Sequence, residues 1–295
     1  MMVEGALFLT AGYGTRDEPL SHIRPKCLLP RGGETVLGRL SRQIRRLNPG
    51  RIAANASRCP QEVMEELTAH WPRTPCELYF EERPLGASST LARLSGMMEG
   101  GSWLVLNTDM VMEPFRADAM ARYHRKTASN WTLLAGDMPE DGDYSPLFAG
   151  DDMELSLEGG TPFHYWGVSI IEPSVAAVAG SIQASEGLFT QLAAEVMGRG
   201  GRISVFRQTG KWLDMGRIET LRENILSGGN RVHPSACVSS DAVLKGRWNV
   251  GKGCIIGSGA ELKDSVMLDG SILKRGLLKD TVLPWFCTGG EGDNS

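Results

Sequence analysis

Two glycines two residues apart, Gly12 and Gly14, follow the apolar run Ala6-Leu7-Phe8-Leu9 and precede Thr15-Arg16. A backbone without side chains turns tightly there and presents N–H groups at close range, an arrangement suited to phosphate oxygens. Arg16 adds a planar charged fork that matches a polyphosphate. Further on, Arg24-Pro25-Lys26 brings a second cation, with Pro25 and Pro30 stiffening the chain on either side. The glycines alone specify little. Asp17 stands where the dinucleotide fingerprint needs its third glycine, and the Gly-Lys-Ser/Thr of a P-loop is absent.

Composition narrows the classes of function. The chain has 295 residues, 41% hydrophobic and 22% charged, which describes a globular protein. A net charge of −4 argues against non-specific nucleic-acid binding, which needs a basic face. No basic segment precedes a long apolar stretch, so neither a signal peptide nor a membrane span is expected. The six cysteines have no C-x-x-C pair and the five histidines no metal-ligand spacing. Reduced thiols and a cytoplasmic setting are the expectation.

The elements that must position these residues read as an α/β succession. Residues 6–9 form a buried strand, and Val36 to Leu47 a helix with one apolar face. Arg51 to Ala54 follows as a strand, Pro60 to His70 as a helix and Cys76 to Phe80 as a strand. After the loop from Glu81 to Ala87, Ser88 to Met98 is a helix and Trp103 to Asn107 a buried strand. Trp131 to Ala135 and Tyr165 to Ile171 are further strands, Met138 to Tyr144 is an acidic loop, and Glu219 to Ile225 is a helix. The order predicts a doubly wound, Rossmann-like, mostly parallel sheet, with ligands outside the carboxyl ends of the strands.

Beyond a linker at Ser227-Gly228-Gly229-Asn230 the period changes. Val232, Val238, Leu244, Val250, Ile256, Leu262 and Leu268 fall every six residues, and mostly small or apolar residues from Ala236 to Ile272 stand four behind each. This spacing predicts a short left-handed parallel β-helix that ends where Lys274 breaks the rule. Trp285 and Phe286 would cap it, and Gly289 to Ser295 would form a disordered tail. The expected division is 1–228 for a catalytic domain, 229–283 for the repeats and 284–295 for the tail.

The stretch from Ala6 to Pro30 resembles the signature of the sugar-1-phosphate nucleotidyltransferases. That signature is commonly Leu-x-Ala-Gly-x-Gly-Thr-Arg-Leu-x-Pro-Leu-Thr, followed by Pro-Lys-Pro-Leu-Leu-Pro. Gly12, Gly14, Thr15, Arg16, Pro19, Leu20, Pro25, Lys26 and Pro30 fit it, whereas Thr10, Asp17 and Cys27 depart. Pro84-Leu85-Gly86-Ala87-Ser88 is similar to the family's Leu-Gly-Thr-Ala-Gly segment, which holds base and ribose through backbone contacts. Leu106-Asn107-Thr108-Asp109 is similar to its Asn-Gly-Asp, and Trp212-Leu213-Asp214-Met215-Gly216 to its Trp-x-Asp-x-Gly. The resemblance makes Asp109 and Asp214 ligands of Mg²⁺, which takes hard oxygens in octahedral geometry.

It further implies nucleotide contacts from Ala11, Gly12, Gly14, Thr15, Glu81, Leu85, Gly86 and Ala87, and sugar contacts from Glu158 and Gly167. Many relatives carry Glu-Lys-Pro, whose lysine contacts the sugar phosphate; here Glu158-Gly159-Gly160 stands instead, leaving His164 and Lys211 as candidates for that charge. The implied reaction joins an NTP and a sugar 1-phosphate into an NDP-sugar and pyrophosphate, with Arg16 and Lys26 on the phosphates. Glu81-Glu82-Arg83 in place of a glutamine favours guanine, whose N–H edge suits a carboxylate acceptor. GTP and mannose 1-phosphate come first, as in the guanylyltransferases that carry a hexapeptide-repeat tail. Uridylyl or thymidylyl transfer, phosphocholine cytidylyl transfer and a catalytically weak regulatory homologue stay open. The repeats, with His233 alone among histidines, are too short for an acyltransferase, so they are expected to join copies of the chain into a homo-oligomer.

Overall fold

A computed structural model of the chain describes residues 3–12, 25–31, 34–140, 144–182, 188–215 and 218–284. Gly14, Thr15 and Arg16 lie outside them, as do Trp285, Phe286 and the C-terminal tail. The chain packs as two units. Residues up to Gly12 and from Leu37 to Trp212 make the first; residues up to Val36 after that glycine, and from Leu213 onward, make the second.

The first unit is built on a nine-stranded sheet. Strand β1 (Gly5–Leu9) is flanked by β2 (Arg51–Ala56) and, on the other edge, by β4 (Trp103–Asn107), while β3 (Cys76–Phe80) lies outside β2. All four are parallel, with Leu9 level with both Asn55 and Asn107. Their continuous apolar runs follow from burial on both faces; Ala6, Leu7, Phe8, Ile52, Ala53, Trp103 and Leu104 have no exposed surface. Strand order reverses beside β1, which opens a crevice at the carboxyl ends of β1 and β4.

The sheet is less uniformly parallel than the sequence predicts. Strands β5 (Trp131–Gly136), β6 (Leu147–Ala149), β7 (Leu155–Ser156), β8 (Thr161–Ile171) and β9 (Ile203–Arg207) extend it past β4. The eleven-residue β8 runs antiparallel to β4, β5 and β6, and only β9 on β5 returns to parallel pairing. The core is therefore mixed α/β around a parallel centre.

The predicted helices fall close to their places, and Ala117–Thr127, Pro173–Ser181 and Leu188–Gly198 are helices that the sequence reading did not predict. Val36–Ile44 ends in a 3₁₀ turn, Arg45–Leu47, and Ala87–Leu94 likewise continues as the 3₁₀ turn Ser95–Met98. Pro60–His70 begins with proline in its first turn, where the missing N–H has no intrahelical role. No helix among the described residues is long and apolar enough to cross a membrane.

In the second unit, helix Ile218–Leu226 packs on a stack of short parallel strands. Arg231–Val232, Val243–Val250, Ala260–Met267 and Gly276–Lys279 form one sheet; Cys237–Val238, Ile255–Ile256 and Ile272–Leu273 form another. Cys237 pairs with Ile255 and Val243 with Glu261, a rung of three hexads. Val250, Ile256, Leu262 and Leu268 are buried as predicted, whereas Val232 at the open end is 39% exposed.

The strict count slips one rung before Lys274. A bulge between Lys245 and Trp248 sets Met267, rather than Leu268, opposite Val250. Gly246 makes it possible: its φ is +65°, and a Cβ there would sit 2.2 Å from Asp264 Oδ1. The Asp264 carboxylate accepts instead from Arg247 N at 3.0 Å. The slip turns Ile272 outward, 43% exposed, and packs Leu273 against the inner core. Strand pairing also continues past Lys274, where Leu278 and Leu283 pack on the same core.

The expected linker is a tied turn. Gly228 N and Gly229 N donate to Ile225 O and Leu226 O, ending the helix, and Gly229 takes φ +83°. The Asn230 side chain then donates to Gly246 O and accepts from Trp248 N. The ion pair of Arg247 with Glu223, at 2.8 Å, fastens the helix to the strands.

One buried histidine gives the first unit a pH dependence. His124, 2% exposed, hydrogen-bonds Thr132 Oγ1 at 2.7 Å and Glu172 Oε1 at 2.9 Å. Burial pushes its pKa down, and the Glu172 contact offsets this only in part. Below the unfolded-state value of about 6.5 the unfolded chain binds the proton first, so stability falls as pH falls. Urea unfolding at pH 7.5 and 5.5 should show a steeper acid loss for the wild type than for His124→Gln; equal losses would contradict this.

Candidate active site

The carboxyl ends of β1 to β4 bring together the Gly12 loop, the Leu85 loop and the segment of Asp109. After β1, Thr10 N donates to Asn55 Oδ1 at 2.8 Å and Ala11 N to the same oxygen at 3.4 Å. Thr10 Oγ1 also donates to Asn55 O. Gly12 is exposed, with open space where a Cβ would stand. Thr108, 4% exposed, donates its hydroxyl to Leu9 O at 2.7 Å and thereby fixes the turn that carries the half-buried Asp109.

Glu81 sits differently from the expectation of a base-reading carboxylate. It is 2% exposed. Its Oε1 accepts from Asn55 Nδ2 at 3.0 Å and Thr90 Oγ1 at 2.7 Å, and its Oε2 accepts from Leu85 N at 3.0 Å. Glu81 is therefore an internal clamp on the loop, while Glu82 and Arg83 are exposed. Leu85, Gly86 and Ala87 remain exposed on that loop, and Gly86 takes φ +81° as it turns into helix Ala87–Leu94.

The expected sugar-contact residues separate into two kinds. His164 is 6% exposed, and its ring lies 4.6 Å from Tyr144 and 4.4 Å from Trp212 between centroids. It packs in an aromatic trio rather than offering an exposed cation. Lys211 is exposed at the start of its strand, and Glu158 is exposed in the bend after β7. Gly160 takes φ +140°, and Ala149 O lies 2.5 Å from where its Cβ would stand. A proline there, with φ near −65°, cannot follow this path. The missing Glu-Lys-Pro is thus a difference of backbone as well as of side chain.

In the second unit, Lys26 opens the 3₁₀ turn Lys26–Leu28, which buries Cys27 and Leu28 and leaves the lysine half-buried. Asp214 ends strand Lys211–Asp214, and its carbonyl accepts from Asn224 Nδ2 at 3.1 Å. Among the described residues, no group of three or more His, Cys, Asp or Glu side chains could hold a metal. A site that completes its shell with substrate oxygens and water suits Mg²⁺, which is bound through one or two carboxylates. Asp109 in the first unit and Asp214 in the second are both half-buried carboxylates, each a hard oxygen donor.

Sequence reasoning missed Asn55, Thr90 and Tyr144, and named Trp212 only as part of a motif. The signal for Asn55 was present: an amide at the end of an otherwise apolar parallel strand needs partners. Gly167, expected as a sugar contact, has an internal reason to be glycine. At φ +72°, its Cβ would stand 2.3 Å from Met110 Sδ, and that sulfur is 3.4 Å from Trp212 Nε1. Gly167→Ala should displace Met110 and Trp212 and cost about 1–3 kcal/mol. An unchanged melting temperature would contradict this.

No protein-family model matches the chain. An N-acetylmuramate alpha-1-phosphate uridylyltransferase from Neisseria meningitidis is 26% identical over 229 residues, 74% of this chain and 95% of that protein. A mannose-1-phosphate guanylyltransferase from Mycobacterium tuberculosis is 23% identical over 305 aligned residues, 92% of this chain and 81% of that protein. The crystal structure of a UDP-glucose pyrophosphorylase complexed with UDP-glucose shares the fold, with a TM-score of 0.65 at 14% identity over 76% of this chain and 98% of that one. The two sequence relatives differ in base and in sugar, and the likeness to the pyrophosphorylase shows the fold. With Gly12 beyond the carboxyl end of β1, the chain is similar in sequence and in fold to sugar-1-phosphate nucleotidyltransferases.

Proposed function

We propose that the chain transfers a guanylyl group from GTP to mannose 1-phosphate, releasing pyrophosphate. An oxygen of the sugar phosphate attacks the α-phosphorus, and the bond to the bridging oxygen of the leaving pyrophosphate breaks. Such a step needs placement and charge neutralisation more than covalent help. Gly12, Gly14 and Thr15 cradle the triphosphate, Arg16 takes the leaving oxygens and Lys26 the α-phosphate. Asp109 and Asp214 would each offer a carboxylate to Mg²⁺, whose chemistry when bound would be to neutralise charge on the phosphates. Leu85, Gly86 and Ala87 hold base and ribose through backbone atoms; Lys211 is the remaining cation for the sugar phosphate.

The observation that carries the choice of substrate is the alignment with the M. tuberculosis guanylyltransferase over 92% of this chain, repeats included. The argument from Glu81 no longer supports guanine, because both its oxygens are turned inward. Uridylyl transfer is the second reading, favoured by the uridylyltransferase relative, which aligns over 74% of the chain.

In this reading 1–228 is the catalytic part and 229–283 a left-handed β-helix, three hexads to a turn. The thiols of Cys76, Cys237 and Cys254 are free, in keeping with a cytoplasmic setting. Paired Ile255 and Ile272 stand 44% and 43% exposed on one face of the stack, which suits contact with a second copy. Light scattering should find a dimer that Ile255→Lys with Ile272→Lys converts to monomer; a monomeric wild type at micromolar concentration would rule this out.

GTP, UTP, dTTP, CTP and ATP, each offered with mannose 1-phosphate and glucose 1-phosphate, decide the substrates by pyrophosphate release. GTP with mannose 1-phosphate should be fastest, and chelation of Mg²⁺ should stop it. A tenfold preference for UTP or dTTP, about 1.4 kcal/mol, would overturn the guanine assignment. Undiminished turnover in excess chelator would overturn the metal.

A further inference from the structure

We infer that Asn55, Glu81 and Thr90 are positioning residues that couple the triphosphate loop to the base loop, so that each loop's geometry depends on the other. The inference rests on the nucleotide reading of the two loops. Asn55 Oδ1 accepts from the main-chain N–H groups of Thr10 and Ala11, at the root of the Gly12 loop. Its Nδ2 donates to Glu81 Oε1 and to Thr90 Oγ1. The Thr90 hydroxyl donates a hydrogen bond to Glu81 Oε1, and Glu81 Oε2 accepts from Leu85 N in the other loop. The path from Ala11 to Leu85 thus crosses three side chains, Asn55 and Thr90 nearly without exposed surface and Glu81 at 2%.

The direction of every bond is fixed. Main-chain N–H groups only donate, so the Asn55 oxygen must face Thr10 and Ala11, and its nitrogen must face the carboxylate. Reversing any member places donor against donor or acceptor against acceptor, and a buried polar group without a partner is costly. None of the three side chains is placed to touch a nucleotide. Their effect on one has to pass through the main chain of the two loops.

Inorganic tripolyphosphate separates coupling from local support, because it has no base or ribose to meet the Leu85 loop. Thr90→Val keeps the shape and removes the hydroxyl; Thr90→Ser keeps the hydroxyl; Glu81→Gln sets an amide nitrogen among donors. Calorimetric titration of tripolyphosphate with Mg²⁺ should show at least fivefold weaker binding to Thr90→Val and Glu81→Gln. Thr90→Ser should stay within twofold of wild type. Glu81→Gln should also lower kcat/KM for GTP and UTP by the same factor, since no base is read by this carboxylate. Unchanged tripolyphosphate affinity in either folded variant, or a loss in Glu81→Gln more than threefold larger for GTP than for UTP, would overturn the coupling. A wild-type chain that binds neither tripolyphosphate nor any NTP would overturn the nucleotide reading instead.

Discussion

A primary amide buried at the end of a parallel strand has four hydrogen-bonding positions to fill, two on oxygen and two on nitrogen. Asn55 fills all four, from Thr10 and Ala11 on one side and Glu81 and Thr90 on the other. Much of the site follows from that constraint. The chain leaving β1 cannot wander, because its first two N–H groups are held. Helix Ala87–Leu94 cannot shift along the sheet without taking Thr90 out of reach of both Asn55 and Glu81. Gly12 is exposed, while Thr10 and Ala11 before it are held through the Asn55 side chain.

A side chain that satisfies main-chain groups also settles the register of the second unit. A parallel stack needs each rung to place an aliphatic residue inward, and one extra residue would turn the next rung inside out. The bulge at Gly246 and Arg247 absorbs that residue, with the Asp264 carboxylate accepting the displaced N–H. Inward packing then resumes with Met267, Leu273 and Leu278. Exposed Ile272 is the consequence on the outer face.

The parallel strands and their helices were legible because double burial writes itself as unbroken apolar runs, as in 103–107, and proline marked the start of the helix at Pro60. The antiparallel entry of β8 was not, since a strand of eleven residues beside three partners reads the same in either direction. Gly167 was legible as an obligatory glycine, but the atom that demands it, Met110 Sδ, comes from a distant turn. Glu81 misled because a carboxylate next to an exposed loop reads as surface chemistry. Only the pairing of β3 with β2, which sets Ala56 level with Phe80, brings Asn55 to Glu81. The hexad rule held while rungs were equal and failed at a bulge, which has no period.

The most direct measurement is a crystal structure of the chain with Mg²⁺ and a non-hydrolysable GTP analogue. The account predicts triphosphate oxygens against the main-chain N–H groups at Gly12 and the base over the backbone of Leu85, Gly86 and Ala87. Glu81 should still be bonded to Asn55, Thr90 and Leu85 N. A Glu81 carboxylate turned out to pair with the base, or a nucleotide seated away from the Gly12 loop, would contradict it.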